Sequence, residues 1–192
     1  MKLNKSDKEN TGVFAISIVD KPAIQSNFIA LSDNEKKQTI KLSNDDRMIL
    51  TGAALIPNKK IYRNNVGGDE AYIYFSKETI DQTAEYYFAN NQSMNFTLEH
   101  KDKTYDVTLK ESWIKEFEND KSVEYGLEEE IGTWFVSLKV HDSELWKDIK
   151  SGEYNGFSVE LNMLPQLKTF FSEEIKPRTQ EDVIKDLLEL FK

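Results

Sequence analysis

The sequence predicts an α+β domain in which an antiparallel β-barrel or strongly curved sheet is flanked by helices. Three observations carry this. About seven short runs have the alternating or continuous apolar character of strands. Two or three stretches repeat apolar residues at helical spacing between recognisable caps. Strands and helices do not alternate strictly, as a doubly wound sheet would require.

The elements follow in order. Residues 1–11 are polar and are expected to form a flexible arm, without the apolar stretch that a signal peptide carries behind its charges. Residues 12–31 (GVFAISIVDKPAIQSNFIAL) read as two extended pieces joined at Lys21-Pro22, since proline has no N–H to give a sheet ladder. Residues 32–37 read as a loop, and 38–42 and 47–56 as strands, the second suited to burial. The stretch 58–69 follows Pro57, carries Gly67-Gly68 and reads as a loop. Residues 76–91 read as a helix with Ser76 as its N-cap, Ile80, Ala84, Tyr87 and Phe88 on one face, and Asn90-Asn91 as its stop.

Residues 94–100 and 107–117 read as a strand pair, 120–132 as an acidic loop and 133–140 as a strand. Asp142 is placed to cap a short helix with Leu145, Trp146 and Ile149 on one side and Gly152 at its C-terminal end. Asn155-Gly156 then turns the chain into a strand over 157–163. The expected domain spans 12–164. Residues 165–192 are a linker with Pro165 and Pro177 and an amphipathic helix over 180–191. The broad apolar face of that helix (Val183, Ile184, Leu187, Leu188, Leu190, Phe191) is expected to pack on its own domain or to dock on a partner.

Composition removes several functions. A formal net charge of −9 argues against binding to nucleic acid, whose affinity comes largely from Lys and Arg displacing counterions. No apolar run approaches the roughly 18 residues that cross a bilayer, so no membrane partner is expected. The chain has no cysteine, which excludes cysteine nucleophiles, disulfides and thiolate metal sites together. It has no G-x-S-x-G elbow, no phosphate-cradling G-x-x-x-x-G-K-[ST] and no H-E-x-x-H helix. No cofactor or metal is therefore expected, and Gly67-Gly68 reads as turn chemistry.

The chain has only two histidines, His100 and His141, so any histidine-dependent chemistry must use one of them. His100 closes the run NFTLEH before a polar turn, where a base of near-neutral pKa could take a proton from a serine. Taken alone, a histidine there is more often a solvated strand end. His141, beside Asp142 before a helix, reads more simply as a surface residue. Ser158 lies in NGFSVE, where strand alternation puts Ser158 and Glu160 on one face and Phe157 and Val159 on the other. A serine in a strand is usually structural. Glu111, in ESWI, could orient a histidine as the third member of a triad or simply stand on a strand surface. Trp113, Trp134 and Trp146 read as core aromatics.

Six segments occur in the order found in XkdF-type phage prohead proteases. They are GVFAISIVDKPAIQSNFIAL (12–31), RMILTGAALIPNKKIYR (47–63), Glu99-His100, ESWI (111–114), GTWFVSLKV (132–140) and NGFSVEL (155–161). The chain resembles that family over residues 12–163. The resemblance implies a fold related to the herpesvirus assemblin-like proteases, a compact β-barrel wrapped by helices. It implies a serine endopeptidase with Ser158 as nucleophile and His100 as general base. It also implies scaffold and capsid precursor proteins as substrates and partners, self-cleavage, and a place inside an immature phage head in the bacterial cytoplasm; a homo-oligomer is compatible with it. In the herpesvirus relatives the third catalytic member is a histidine that follows the serine, and none follows Ser158 here. Glu111 is the provisional replacement, with Glu160 and His141 behind it. A fold kept as a non-catalytic interaction module of the phage head is the alternative.

Overall fold

The computed structural model describes residues 12–32, 46–66, 69–104 and 106–162. Its strands are β1 (Gly12–Val19), β2 (Ile29–Ser32), β3 (Asp46–Leu55), β4 (Ile61–Val66), β5 (Asp69–Ile73), β6 (Phe96–Leu98), β7 (Asp102–Thr104), β8 (Val107–Ile114), β9 (Trp134–Val140) and β10 (Gly156–Asn162). Its α-helices are α1 (Lys77–Ala89), the single turn α2 (Lys121–Glu124) and α3 (Ser143–Ser151). The arm over 1–11, the strand expected over 38–42, and the linker and helix expected within 165–192 lie outside the described residues.

The strands form one sheet of order β10-β1-β6-β7, a second of order β2-β3-β9-β8, and the two-stranded ribbon β4-β5. The α+β class holds, but among the described residues none of these sheets closes into a barrel. Among the described residues every strand pairing is antiparallel except one: β1 runs parallel to β6, with Ser17 opposite Thr97. This corrects two expectations. The run over 94–100 does not pair with 107–117: β6 joins β1 and β7, while β8 joins β9. The stretch 58–69 is not a loop but holds β4, whose partner β5 was not anticipated at all. The polar Asn64-Asn65 inside β4 concealed the strand by removing the apolar alternation that would announce it.

β1 is central because it is apolar almost throughout. Val13, Ala15, Ile16, Ile18 and Val19 are all buried, and β10 and β6 lie on either side of it. Ile16, Ile18, Phe96 and Phe157 turn one face of this sheet into the core, where they join Leu50, Phe135, Val136 and Leu138 of the second sheet. Burying each such side chain is worth about 1.5–3 kcal/mol. α1 starts where Ser76 Oγ accepts the Thr79 N–H at 3.2 Å, the N-cap read from sequence. It buries Ile80, Thr83, Ala84 and Tyr87, and the Tyr87 ring meets Trp134 edge-on at 5.6 Å. Phe88, expected on that face, is exposed; Thr79 and Thr83 complete the buried stripe instead. α3 is capped by Asp142, whose Oδ1 accepts from the Glu144 and Leu145 amides at 2.7 and 2.8 Å, and it ends at Gly152 with φ 86°. From there the chain turns directly into β10.

Candidate active site

The face of the first sheet that points away from Phe157 and Ile16 is built from polar residues in register. On β10 it carries Ser158 and Glu160; on β1, Ser17 lies opposite Ser158 and Ala15 opposite Glu160; on β6, Thr97 lies opposite Ser17. Residues directly opposite in a sheet project to the same side. The strand pattern thus places two serines, a threonine and a glutamate together from three segments, with Ser17 and Thr97 80 residues apart in sequence and Thr97 and Glu160 63 apart.

His100 is delivered by the turn between β6 and β7. The strand expected to run to His100 stops at Leu98, and Glu99 and His100 both adopt left-handed backbone, with φ 49° and 58°. Non-glycine residues held there cost on the order of 1–3 kcal/mol each and persist only where surrounding bonds over-determine them. Four such bonds are present. The Lys101 amide donates to the Leu98 carbonyl at 3.0 Å and the Glu99 amide to the Ile18 carbonyl at 3.1 Å. The His100 amide donates to Ser17 Oγ at 3.0 Å, and Glu99 Oε1 accepts the Asp20 amide at 2.6 Å. The turn is thereby tied to β1, the neighbour of the strand that carries Ser158.

His100 Nδ1 lies 3.4 Å from Glu160 Oε1, and Thr97 Oγ1 donates to the same carboxylate oxygen. Strands β10 and β6 flank β1 and so stand roughly 9–10 Å apart. Glu160 spans that gap because its opposite number on β1 is only Ala15, which leaves room above the central strand. A carboxylate on Nδ1 leaves Nε2 as the free nitrogen of the ring, the arrangement in which histidine serves as a base. The His100 side chain is 43% exposed and that of Glu160 17%.

Ser158 shares a face with Glu160, as the alternation predicts, but is only 5% exposed. Among the described residues its hydroxyl makes no hydrogen bond. The start of β10 is held by an unusually close contact: a Cβ added at Gly156 would stand 2.5 Å from Pro22 Cγ and 2.9 Å from the Ser26 carbonyl oxygen. Asn155 adds two bonds to β1 and its following turn, from its amide to the Val19 carbonyl at 2.8 Å and from Nδ2 to Asp20 Oδ1 at 2.9 Å. At this end of the sheet, Asp20, Glu99, Gly152, Glu153 and Tyr154 line an open cleft of about 380 Å³.

The other residues singled out from sequence lie elsewhere. Glu111 is on β8 in the second sheet, ion-paired with Lys121, whose Nζ also sits 3.7 Å above the Trp113 ring. The carboxylate beside His100 is Glu160 and not Glu111: among the described residues β8 pairs with β9 alone and belongs to the second sheet. His141 Nε2 is 2.9 Å from Thr108 Oγ1, also in the second sheet. Ser112, next to Glu111 in ESWI, accepts a hydrogen bond at its Oγ from Trp134 Nε1 at 2.8 Å. Ser17 and Thr97 were missed. A single hydroxyl inside the apolar run FAISIV was the available signal for Ser17, but its partners depend on a parallel pairing that no local pattern reveals.

Among the described residues no three His, Asp or Glu side chains converge as a metal site would require, and no helix is long and apolar enough to cross a membrane. No curated protein and no solved structure matches the chain. A family model described as "putative phage serine protease XkdF" matches residues 36–163, more than half of the sequence, and the chain belongs to that family.

Proposed function

We propose that the protein is a phage prohead-maturation serine endopeptidase that works by acyl transfer, with Ser158 as nucleophile, His100 as general base and Glu160 as the residue that orients it. The observation that carries this reading is the Glu160 carboxylate against His100 Nδ1, on the face that also presents Ser158. Ser158 Oγ attacks the scissile carbonyl carbon while its proton passes to His100 Nε2. The imidazolium is stabilised by Glu160 and then protonates the leaving amine, and water later releases the acyl group by the same route in reverse. Backbone amides stabilise the oxyanion. Family membership supports the hydrolase class. Scaffold and capsid precursor proteins within the immature head, and the chain itself, are the proposed substrates, and kinship with the assemblin-like proteases is proposed on the same basis.

One observation favours a second reading, a non-catalytic phage head component. Ser158 is nearly buried, as a purely structural serine would be. Co-expression with the phage's own scaffold and capsid precursors separates the two. The protease reading predicts processing by the parent and none by Ser158→Ala with its fold intact. Equal processing by both proteins overturns the assignment of Ser158.

A further inference from the structure

Ser17 is the one hydroxyl in the central strand, wholly buried, with Ser158 opposite it on one side and Thr97 on the other. A buried hydroxyl has to be hydrogen-bonded, and this one is bonded twice. It accepts the His100 amide at 3.0 Å and donates to the Thr97 carbonyl at 3.4 Å. It therefore touches the backbone of the residue that supplies the imidazole and of the residue that holds Glu160. It does not reach the reacting atoms itself. β1 also precedes residues 36–163, which the family model matches.

We infer that Ser17 is a positioning residue: its hydroxyl fixes the left-handed turn at Glu99-His100 and so aims the His100 ring between Glu160 and Ser158. This rests on the protease reading above. Without the hydroxyl, the His100 amide loses its acceptor and the turn loses one of the four bonds that oppose its relaxation to ordinary backbone, the one made at His100 itself. A small displacement of a general base slows the chemical step while leaving an apolar or extended ligand free to bind.

The test uses the full chain and an alkyl fluorophosphonate, which needs no knowledge of the natural substrate. Ser158 Oγ attacks phosphorus, the new O–P bond forms as the P–F bond breaks, fluoride leaves, and the serine proton goes to His100 Nε2. Labelling rates are measured against probe concentration for the parent, Ser17→Ala and Ser17→Cys, with adducts located by peptide mass. The cysteine variant keeps the volume of the side chain with a poor acceptor, which guards against loss of packing in the alanine variant. The maximal labelling rate is expected to fall on the order of 10- to 100-fold in both variants, with the half-saturating probe concentration unchanged. A variant that labels Ser158 within about twofold of the parent overturns the role of Ser17 alone. A parent that is not labelled at Ser158 overturns the protease reading, and this inference with it.

Discussion

Replacing Gly156 with alanine perturbs the site through geometry alone. The new Cβ would meet Pro22 Cγ at 2.5 Å, Pro22 Cβ at 2.7 Å and the Ser26 carbonyl oxygen at 2.9 Å. None of these atoms can swing aside. Pro22 is a buried ring, and the 22–26 turn is pinned by the Gln25 amide on the Pro22 carbonyl at 2.9 Å and by Ser26 Oγ on Glu129 at 2.6 Å. Relief requires a backbone shift approaching an ångström, either of that turn or of the start of β10. Overpacking of this kind costs about 1–3 kcal/mol. For a chain of this size each kcal/mol lowers Tm by roughly 2–4 °C, so a fall of about 2–12 °C is expected. Thermal unfolding followed by tryptophan fluorescence reads it, since Trp134 is fully buried. Gly152→Ala is the control: nothing lies within 4 Å of its added Cβ, and only its φ of 86° opposes the change. A Gly156→Ala protein whose Tm stays within about 1 °C of the parent would refute the argument.

Glu160→Gln should slow fluorophosphonate labelling of Ser158 roughly tenfold or more, whereas Glu111→Gln should label like the parent; equal behaviour of the two variants removes Glu160 from the site. Burial pushes the Tyr87 phenol well above its ordinary value of 10.0, and its hydroxyl has no partner among the described residues. Tyr87→Phe should therefore match or exceed the parent in urea midpoint at neutral pH. Because a raised folded pKa gives stability that is complete below the unfolded value and lost above it, the parent should weaken more steeply than Tyr87→Phe above about pH 10. Burial raises the Asp120 carboxyl, but hydrogen bonds from Ser122 and from Trp113 Nε1 outweigh it and hold the group below its ordinary 3.8. Here the sign reverses: the contribution is present above about pH 4 and lost as pH falls further, so the gap in urea midpoint between parent and Asp120→Asn should close on acidification. A gap that stays constant from pH 7 to about pH 3 contradicts this assignment.

The local signals in the sequence are the ones that local physics enforces. Ser76, Asp142 and Gly152 announce the ends of α1 and α3 because capping requires only the residues next to the cap. The apolar runs of β1, β3, β9 and β10 are legible because each strand buries at least one face. Pairing is another matter. That β6 lies parallel to β1, and β8 beside β9, depends on contacts between residues far apart, and a three-residue strand such as β6 has too little pattern to declare its neighbour. The site inherits this split. Ser158 and Glu160 could be placed on one face from alternation alone, but the choice of Glu111 over Glu160 as partner of His100 turned on which sheet each strand joins. Ser17 and Thr97 were invisible for the same reason. The left-handed turn at Glu99-His100 was hidden too, since neither residue is the glycine or asparagine that usually marks such backbone.

The proposed protease depends above all on Ser158 acting as a nucleophile activated by His100. Its most direct measurement is the intact mass of the full chain after incubation with an alkyl fluorophosphonate near neutral pH, compared across the parent, Ser158→Ala and His100→Ala. One adduct per chain is expected on the parent, mapped to Ser158, none on Ser158→Ala, and labelling of His100→Ala slowed on the order of a hundredfold or more. An adduct formed equally on all three proteins, or none on the folded parent, would contradict it.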